Sequence, residues 1–390
     1  MKKISLLLIS LLLVGCGNNL DTAQNEIVNE INDVEITENL SEEIDAVIEE
    51  TDEEETSDEI AEETNEETTE EVVEEVVEEV VEEIVEEIDY DALYREYHVN
   101  EAGKVIVIMY HNLADEAGTY ASTPELFRKD LERLYEEGYR TVSMSDLVNN
   151  TIDIPIGTTP VVLTFDDGSK SNFYYDESGE IAKDSVVGIL DDFYGEHEDF
   201  GRNAIFYLFG TNPFREEELV AQKLNYLVEN GYEIGTHTYG HDNLKELSAE
   251  SIQKTLGRNE AFIESMVKDY DMVHLSLPYG IRPVEAYRDN LWSGSYEESN
   301  YEIISAVNVG WNPISSPAHV DFNPKSINRI TCGDDEAELH FWLDQLALHP
   351  ERRYYSDGDS NTVVVPASKA ENVHEAYLEQ LITYNESEEE

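Results

Sequence analysis

The chain runs to 390 residues, with 88 Asp and Glu against 24 Lys and Arg, for a formal net charge of −64. That balance excludes a nucleic-acid surface, because a polyanion repels phosphate. Two cysteines exclude a disulfide scaffold, so the fold must rest on a large apolar core.

The first element reads as an export signal. Lys2-Lys3 precede "ISLLLISLLLV", an apolar run too short to span a bilayer. "LVGC", Leu13 to Cys16, resembles a bacterial lipobox, which implies a signal peptide over 1–16 and a lipidated Cys16. The expectation is a lipoprotein anchored on the extracellular face of the cell membrane. Only Cys332 then remains in the exported chain, expected as a small buried apolar residue.

Residues 17–97 read as an acidic, low-complexity tether. From Gly17 to Tyr90 there are 32 acidic residues and no Lys or Arg. Such a segment cannot bury enough apolar surface to offset its ordering entropy. The "EEVVEEVVEEVV" period places Glu beside Glu at i,i+4 with no lysine to relieve the repulsion. A solvated spacer is expected, with a coiled-coil stalk as the other reading. Residues 91–390 still carry a net −34, which calls for screening counterions and suggests a saline or alkaline habitat.

A folded body is expected over 98–385. "VIVIMYH", Val105 to His111, is a buried strand that ends on a histidine. "STPELFRKDLERLYEEGY" is a helix, with Ser122 or Thr123 as N-cap, Pro124 at N1 and Gly138 at its end. "RTVSMSDLVNN" gives a short strand and a helical turn. "PVVLTFDDGS" is a second buried strand running into Asp166-Asp167. Helix, strand, helix and strand follow in "SVVGILDDFYGEHEDFG", "NAIFYLFG", "EELVAQKLNYLVENG" and "YEIGTHTYGH". A long helix from Ser248, strands in "MVHLSLPYG" and "YEIISAVNVGW", and a helix in "DEAELHFWLDQLALH" complete the array. Continuous apolar strands alternating with helices predict a parallel sheet covered by helices, and at this length a barrel. In a barrel the chemistry lies at the strand C-termini, where His111, Asp166, Asp167, His237 and Tyr279 fall.

By residue chemistry alone, "TFDDG" is either a pair of carboxylates at the barrel mouth or an Asx turn. His237 and His241 in "THTYGH" are either structural or two ligands of a site that one Asp completes. Two imidazoles and a carboxylate suit a hydrolytic divalent metal, with zinc the first guess.

"TFDDG" followed by "HTYGH" and "LPYG" resembles the NodB-homology polysaccharide deacetylases, carbohydrate esterase family 4, over most of 100–335. The resemblance implies a distorted (β/α) barrel of about seven strands that removes acetyl groups from polysaccharides. It implies Asp166 as general base, Asp167, His237 and His241 as metal ligands, and the main-chain N–H of Tyr279 as an oxyanion donor. There are two departures. The third motif usually has an arginine two residues before its proline, where this chain has Ser276; Arg329 or Arg282 is the candidate replacement. The usual C-terminal Leu-x-His acid is also missing. "VIVIMYH" resembles the circularly permuted poly-N-acetylglucosamine deacetylase branch, which implies that His111 is the acid. As a plain residue, His111 would be a satisfied strand-end histidine. Trp311 is a candidate pocket wall, and Tyr174, with Tyr175 and Phe173, a candidate sugar platform. The expected substrate is poly-N-acetylglucosamine, with peptidoglycan, chitin oligomers or xylan as alternatives. An inactive glycan-binding surface lipoprotein is the reading from another class. The protein is expected to be monomeric.

Overall fold

The computed structural model describes residues 89–387. The signal peptide, Cys16 and nearly all of the tether lie outside these residues. Among them, no helix is long and apolar enough to cross a membrane.

Six parallel strands form the central sheet: β1 (Lys104–Tyr110), β2 (Thr159–Asp166), β3 (Ile205–Leu208), β4 (Glu233–Thr236), β5 (His274–Ser276) and β6 (Ser305–Val307). Their order follows the chain, β1 to β6. A seventh, β7 (Ile330–Thr331), pairs in parallel with β1 through Ile108 and Ile330. Three residues earlier, Ile327 bridges Val307 of β6. The short segment 327–331 thus touches both edges and draws the sheet round into a distorted seven-stranded barrel.

The pleat explains the continuous apolar runs. Successive side chains face opposite sides of a strand. Val105, Val107, Val162, Ile205, Val307 and Ile327 meet in one cluster inside the barrel, closed below by Met144 and Leu147. Their neighbours Ile106, Ile108, Leu163 and Phe206 face outward. They pack under helices α1 (Pro124–Glu136), α2 (Val186–Glu196) and α3 (Val220–Glu229). Helix α4 (Ala249–Glu264) packs on Leu275 through Ile252 and Leu256, and α5 (Leu339–Leu348) returns to the larger outer core. Both strand faces are covered, so no polar alternation is needed. Helix α1 starts at Thr123, whose hydroxyl accepts from Leu126 N–H, with Pro124 in its first turn.

Two expected boundaries move. The folded body starts at Asp89, not 98: helix Tyr90–Glu96 packs on strand Leu381–Tyr384, with Tyr94 5.8 Å from Tyr384. Unlike the acidic repeat before it, this stretch has two tyrosines and an arginine, which supply apolar surface to bury. "YEIISAVNVGW" is not one strand either. Tyr301-Glu302 belong to an antiparallel hairpin (Ser293–Tyr296 with Ser299–Glu302) over α4, and only Ser305–Val307 enter the barrel. Cys332 is half-buried against the core, its thiol pushed up to about 12 by burial first and then by Asp130 and Glu338. It is an inert packing residue.

Candidate active site

The same pleat aims the polar residues. His111 lies four residues beyond the interior Val107, Asp166 four beyond Val162, and Arg329 two beyond Ile327. His237 lies two beyond Gly235, where an added Cβ would meet the Tyr207 ring at 2.5 Å. An even offset keeps a side chain on the interior face, so these four converge at the mouth.

Asp166 is almost fully buried at 2 % exposure, and Arg329 is buried completely. The guanidinium grips the carboxylate with two bonds, Nη1 to Oδ1 and Nη2 to Oδ2, each 2.7 Å. Its remaining donors reach Thr164 Oγ1 at 3.1 Å, Ser276 Oγ at 3.0 Å and the Asn308 carbonyl at 3.1 Å. Ser276 in turn donates to Asp166 Oδ2 at 3.1 Å. The small serine leaves the space that the Arg329 guanidinium enters from the closing segment. Burial alone would raise the Asp166 carboxyl, but the Arg329 charge outweighs it and holds the group far below the usual carboxylate range. Arg282 does not share this task. Its guanidinium donates to Asn308 Oδ1 and the Lys325 carbonyl, and among the described residues no hydrogen bond or ion pair joins it to Asp166.

Asp167 follows with φ +72, and Gly168 with φ +55. This left-handed turn swings a side chain that pleating would send outward back to the mouth. Its Oδ1 lies 3.6 Å from His237 Nε2 and 3.5 Å from His241 Nε2. His237 Nδ1 lies 2.8 Å from the Ser276 carbonyl, which fixes Nδ1 as the donor and leaves Nε2 a lone pair. Burial lowers the pKa of His237 despite Asp166, favouring that neutral, ligating form. Thr238 and His241 also have positive φ, so the turn that presents the second imidazole is strained. Two nitrogens and one oxygen within 4.8 Å of one another fit a divalent cation with an open position. Tyr279, at φ +59, bends over His241: its ring is 62 % exposed and its hydroxyl lies 3.0 Å from His241 Nδ1.

His111 faces the same cluster. Its Nε2 is 4.0 Å from Asp166 Oδ2, and its carbonyl accepts from Asn172 Nδ2 at 2.7 Å. Burial lowers its pKa, against the pull of Asp166 and Asp167. The expected sugar platforms separate. Phe173 is fully buried in the outer core, because the Ser169–Asn172 capping box turns the chain inward, so it cannot stack on sugar. Tyr175 bonds Gln222, and Tyr174 bonds Asp184 beside Lys170. Trp311 is 66 % exposed, and its carbonyl accepts from Trp342 Nε1 at 2.8 Å. Among the described residues, no hydrogen bond or ring contact joins Tyr174 or Trp311 to the cluster. Thr164, the first residue of "TFDDG", and Asn308, which no motif marks, both hold Arg329; neither role was readable beyond the inward parity of Thr164.

A sequence profile described as Polysaccharide deacetylase matches residues 155–292, which hold Asp166, Asp167, His237, His241 and Tyr279. YxkH of Bacillus subtilis (strain 168), which carries the family's name, is 21 % identical over 179 residues, 45 % of this chain and 57 % of its own. The chain therefore spans just over half the length of that relative. Two solved structures are among those similar to part of this chain. The Streptococcus pyogenes deacetylase PplD in complex with acetate is 16 % identical over 62 % of this chain and 97 % of its own, with a TM-score of 0.45. IcaB from Ammonifex degensii is 17 % identical over 65 % and 99 %, with a TM-score of 0.44. Residues 155–292 are thus similar to the polysaccharide deacetylases in sequence.

Proposed function

We propose that this protein is a metal-dependent hydrolase that removes N-acetyl groups from an extracellular polysaccharide, poly-N-acetylglucosamine being the first candidate. The observation that carries this reading is the Arg329–Asp166 clamp beside the Asp167, His237, His241 cluster, with His111 4.0 Å from Asp166. A buried carboxylate kept ionised can accept a proton from water. An imidazole beside it can give one to a departing amine. A divalent cation held by Asp167, His237 and His241, zinc by first guess, would supply a Lewis acid that polarises the acetyl carbonyl.

The remaining chemistry belongs to the chain. Water adds to the acetyl carbon and its proton passes to Asp166. The Tyr279 main-chain N–H donates to the oxygen that gains charge. The carbon–nitrogen bond then breaks as His111 delivers to the leaving nitrogen the proton that Asp166 took from water. Acetate and a free amine result. Arg329 orients Asp166 throughout. Its clamp favours an enzyme over an inactive glycan-binding surface lipoprotein, since Arg329 orients the carboxylate where Ser276 cannot. Anchoring through Cys16 at the outer face of the cell membrane belongs to the same proposal.

The test is acetate release from a panel comprising poly-N-acetylglucosamine, peptidoglycan, chitin oligomers and acetylated xylan. Asp166→Asn is expected to lower release by at least about a hundredfold while zinc content stays near one equivalent. His237→Ala is expected to lose the zinc. Wild-type rates in Asp166→Asn would overturn the reading.

A further inference from the structure

Outside the motifs, one side chain stands over the reacting groups. Tyr120 packs its ring against His111, with centroids 4.8 Å apart and planes tilted by 54°. The ring is nonetheless 59 % exposed, and its hydroxyl makes no hydrogen bond among the described residues. Its backbone is well held. Asn112 N–H donates to the Tyr120 carbonyl at 3.4 Å, and the next residue, Ala121, pairs with Asn112 in a short parallel ladder. Gly118 and Ala121 exchange bonds of 2.8 and 3.1 Å across the turn. Leu113 N–H is bonded to Ser171 Oγ at 2.9 Å, which ties the base of the loop to the segment after Asp167.

A single exposed tyrosine needs no explanation by itself. This one differs in position. One edge of it rests on the imidazole at the mouth, and much of its surface is open to solvent. Aromatic rings bind the apolar C–H face of a pyranose, while the phenol remains free to meet its hydroxyls. We propose that Tyr120 is a substrate-positioning platform: the sugar bearing the acetamide stacks on it, which sets the leaving nitrogen within reach of His111. The ligand class is a neutral pyranose chain, and the inference rests on the deacetylase reading above.

The test compares wild type with Tyr120→Ala, Tyr120→Phe and Tyr120→Trp on acetylated glucosamine oligomers and on a small acetyl ester with no sugar. For Tyr120→Ala, KM on the oligomers is expected to rise about tenfold, with at most about a twofold loss on the ester. The Phe and Trp variants should stay close to wild type. Equal losses on both substrates would mean a merely structural side chain, and an unchanged KM would remove the platform; either result overturns the proposal. If wild type releases no acetate, it is the deacetylase reading that fails. Calorimetric titration with the same oligomers then decides the platform: about tenfold weaker binding by Tyr120→Ala supports it, and equal affinity overturns it.

Discussion

Arg329 and Asp166 share two bonds of 2.7 Å in a region that excludes water. Neither charge is tolerable there without the other. Replacing Arg329 with methionine keeps much of the side-chain volume and removes the charge. The Asp166 carboxyl, now subject to burial without its counterion, is expected to rise and take up a proton. Acetate release should fall by about a hundredfold or more, zinc content should persist, and unfolding should become easier by roughly 3–5 kcal/mol. A variant that keeps wild-type turnover would show that Asp166 needs no clamp. The carboxylate was legible in "TFDDG". Its arginine was only one of two candidates, because 163 residues separate the partners and no periodicity links them. Phe173 was misplaced for a related reason: a polar stretch before it resembles an exposed loop, and a local capping box folds it inward.

Among the elements, α4 carries an acid on its buried side. Glu260 accepts the Met272 N–H at 3.1 Å, joining the helix to the approach of β5, with Glu264 and Asp271 close by. Burial first, then those two like charges, push Glu260 up to about 7 from 4.5. The folded state therefore holds a proton that the unfolded chain releases near 4.5. The stability tied to that proton is complete below pH 4.5 and is lost as pH rises to about 7. Glu260→Gln keeps the acceptor and abolishes the titration. Denaturant unfolding should show it more stable than wild type by about 1–3 kcal/mol near pH 8, and indistinguishable near pH 4. A constant difference at both pH values would rule this out. The strands and helices of the barrel were readable because each repeats one environment over several residues. The segment 327–331 was not, since a stretch that touches β6 at Ile327 and β1 at Ile330 shows no period.

Across the whole molecule, charge sets the conditions. Residues 91–390 carry a net −34, and even the barrel interior spends one of its cations on Asp166. Raising NaCl from about 0.1 M to about 1 M shortens the screening length from about 10 Å to about 3 Å. The melting temperature of the body should rise by several degrees over that range, measured by calorimetry; a flat response would sink the idea that self-repulsion limits its stability. The sequence by itself determined the covered parallel sheet, since apolar runs between capped helices have few other ways to bury both faces. It also determined which strand ends carry acids and imidazoles, because those are local facts of composition. Tertiary structure alone decided that Arg329 and not Arg282 holds Asp166, that Asp167 turns back toward His237 and His241, and that Tyr120 stands over His111. Each of those depends on where a strand closes the circle or a left-handed turn redirects a side chain, and neither is encoded within the reach of a single element.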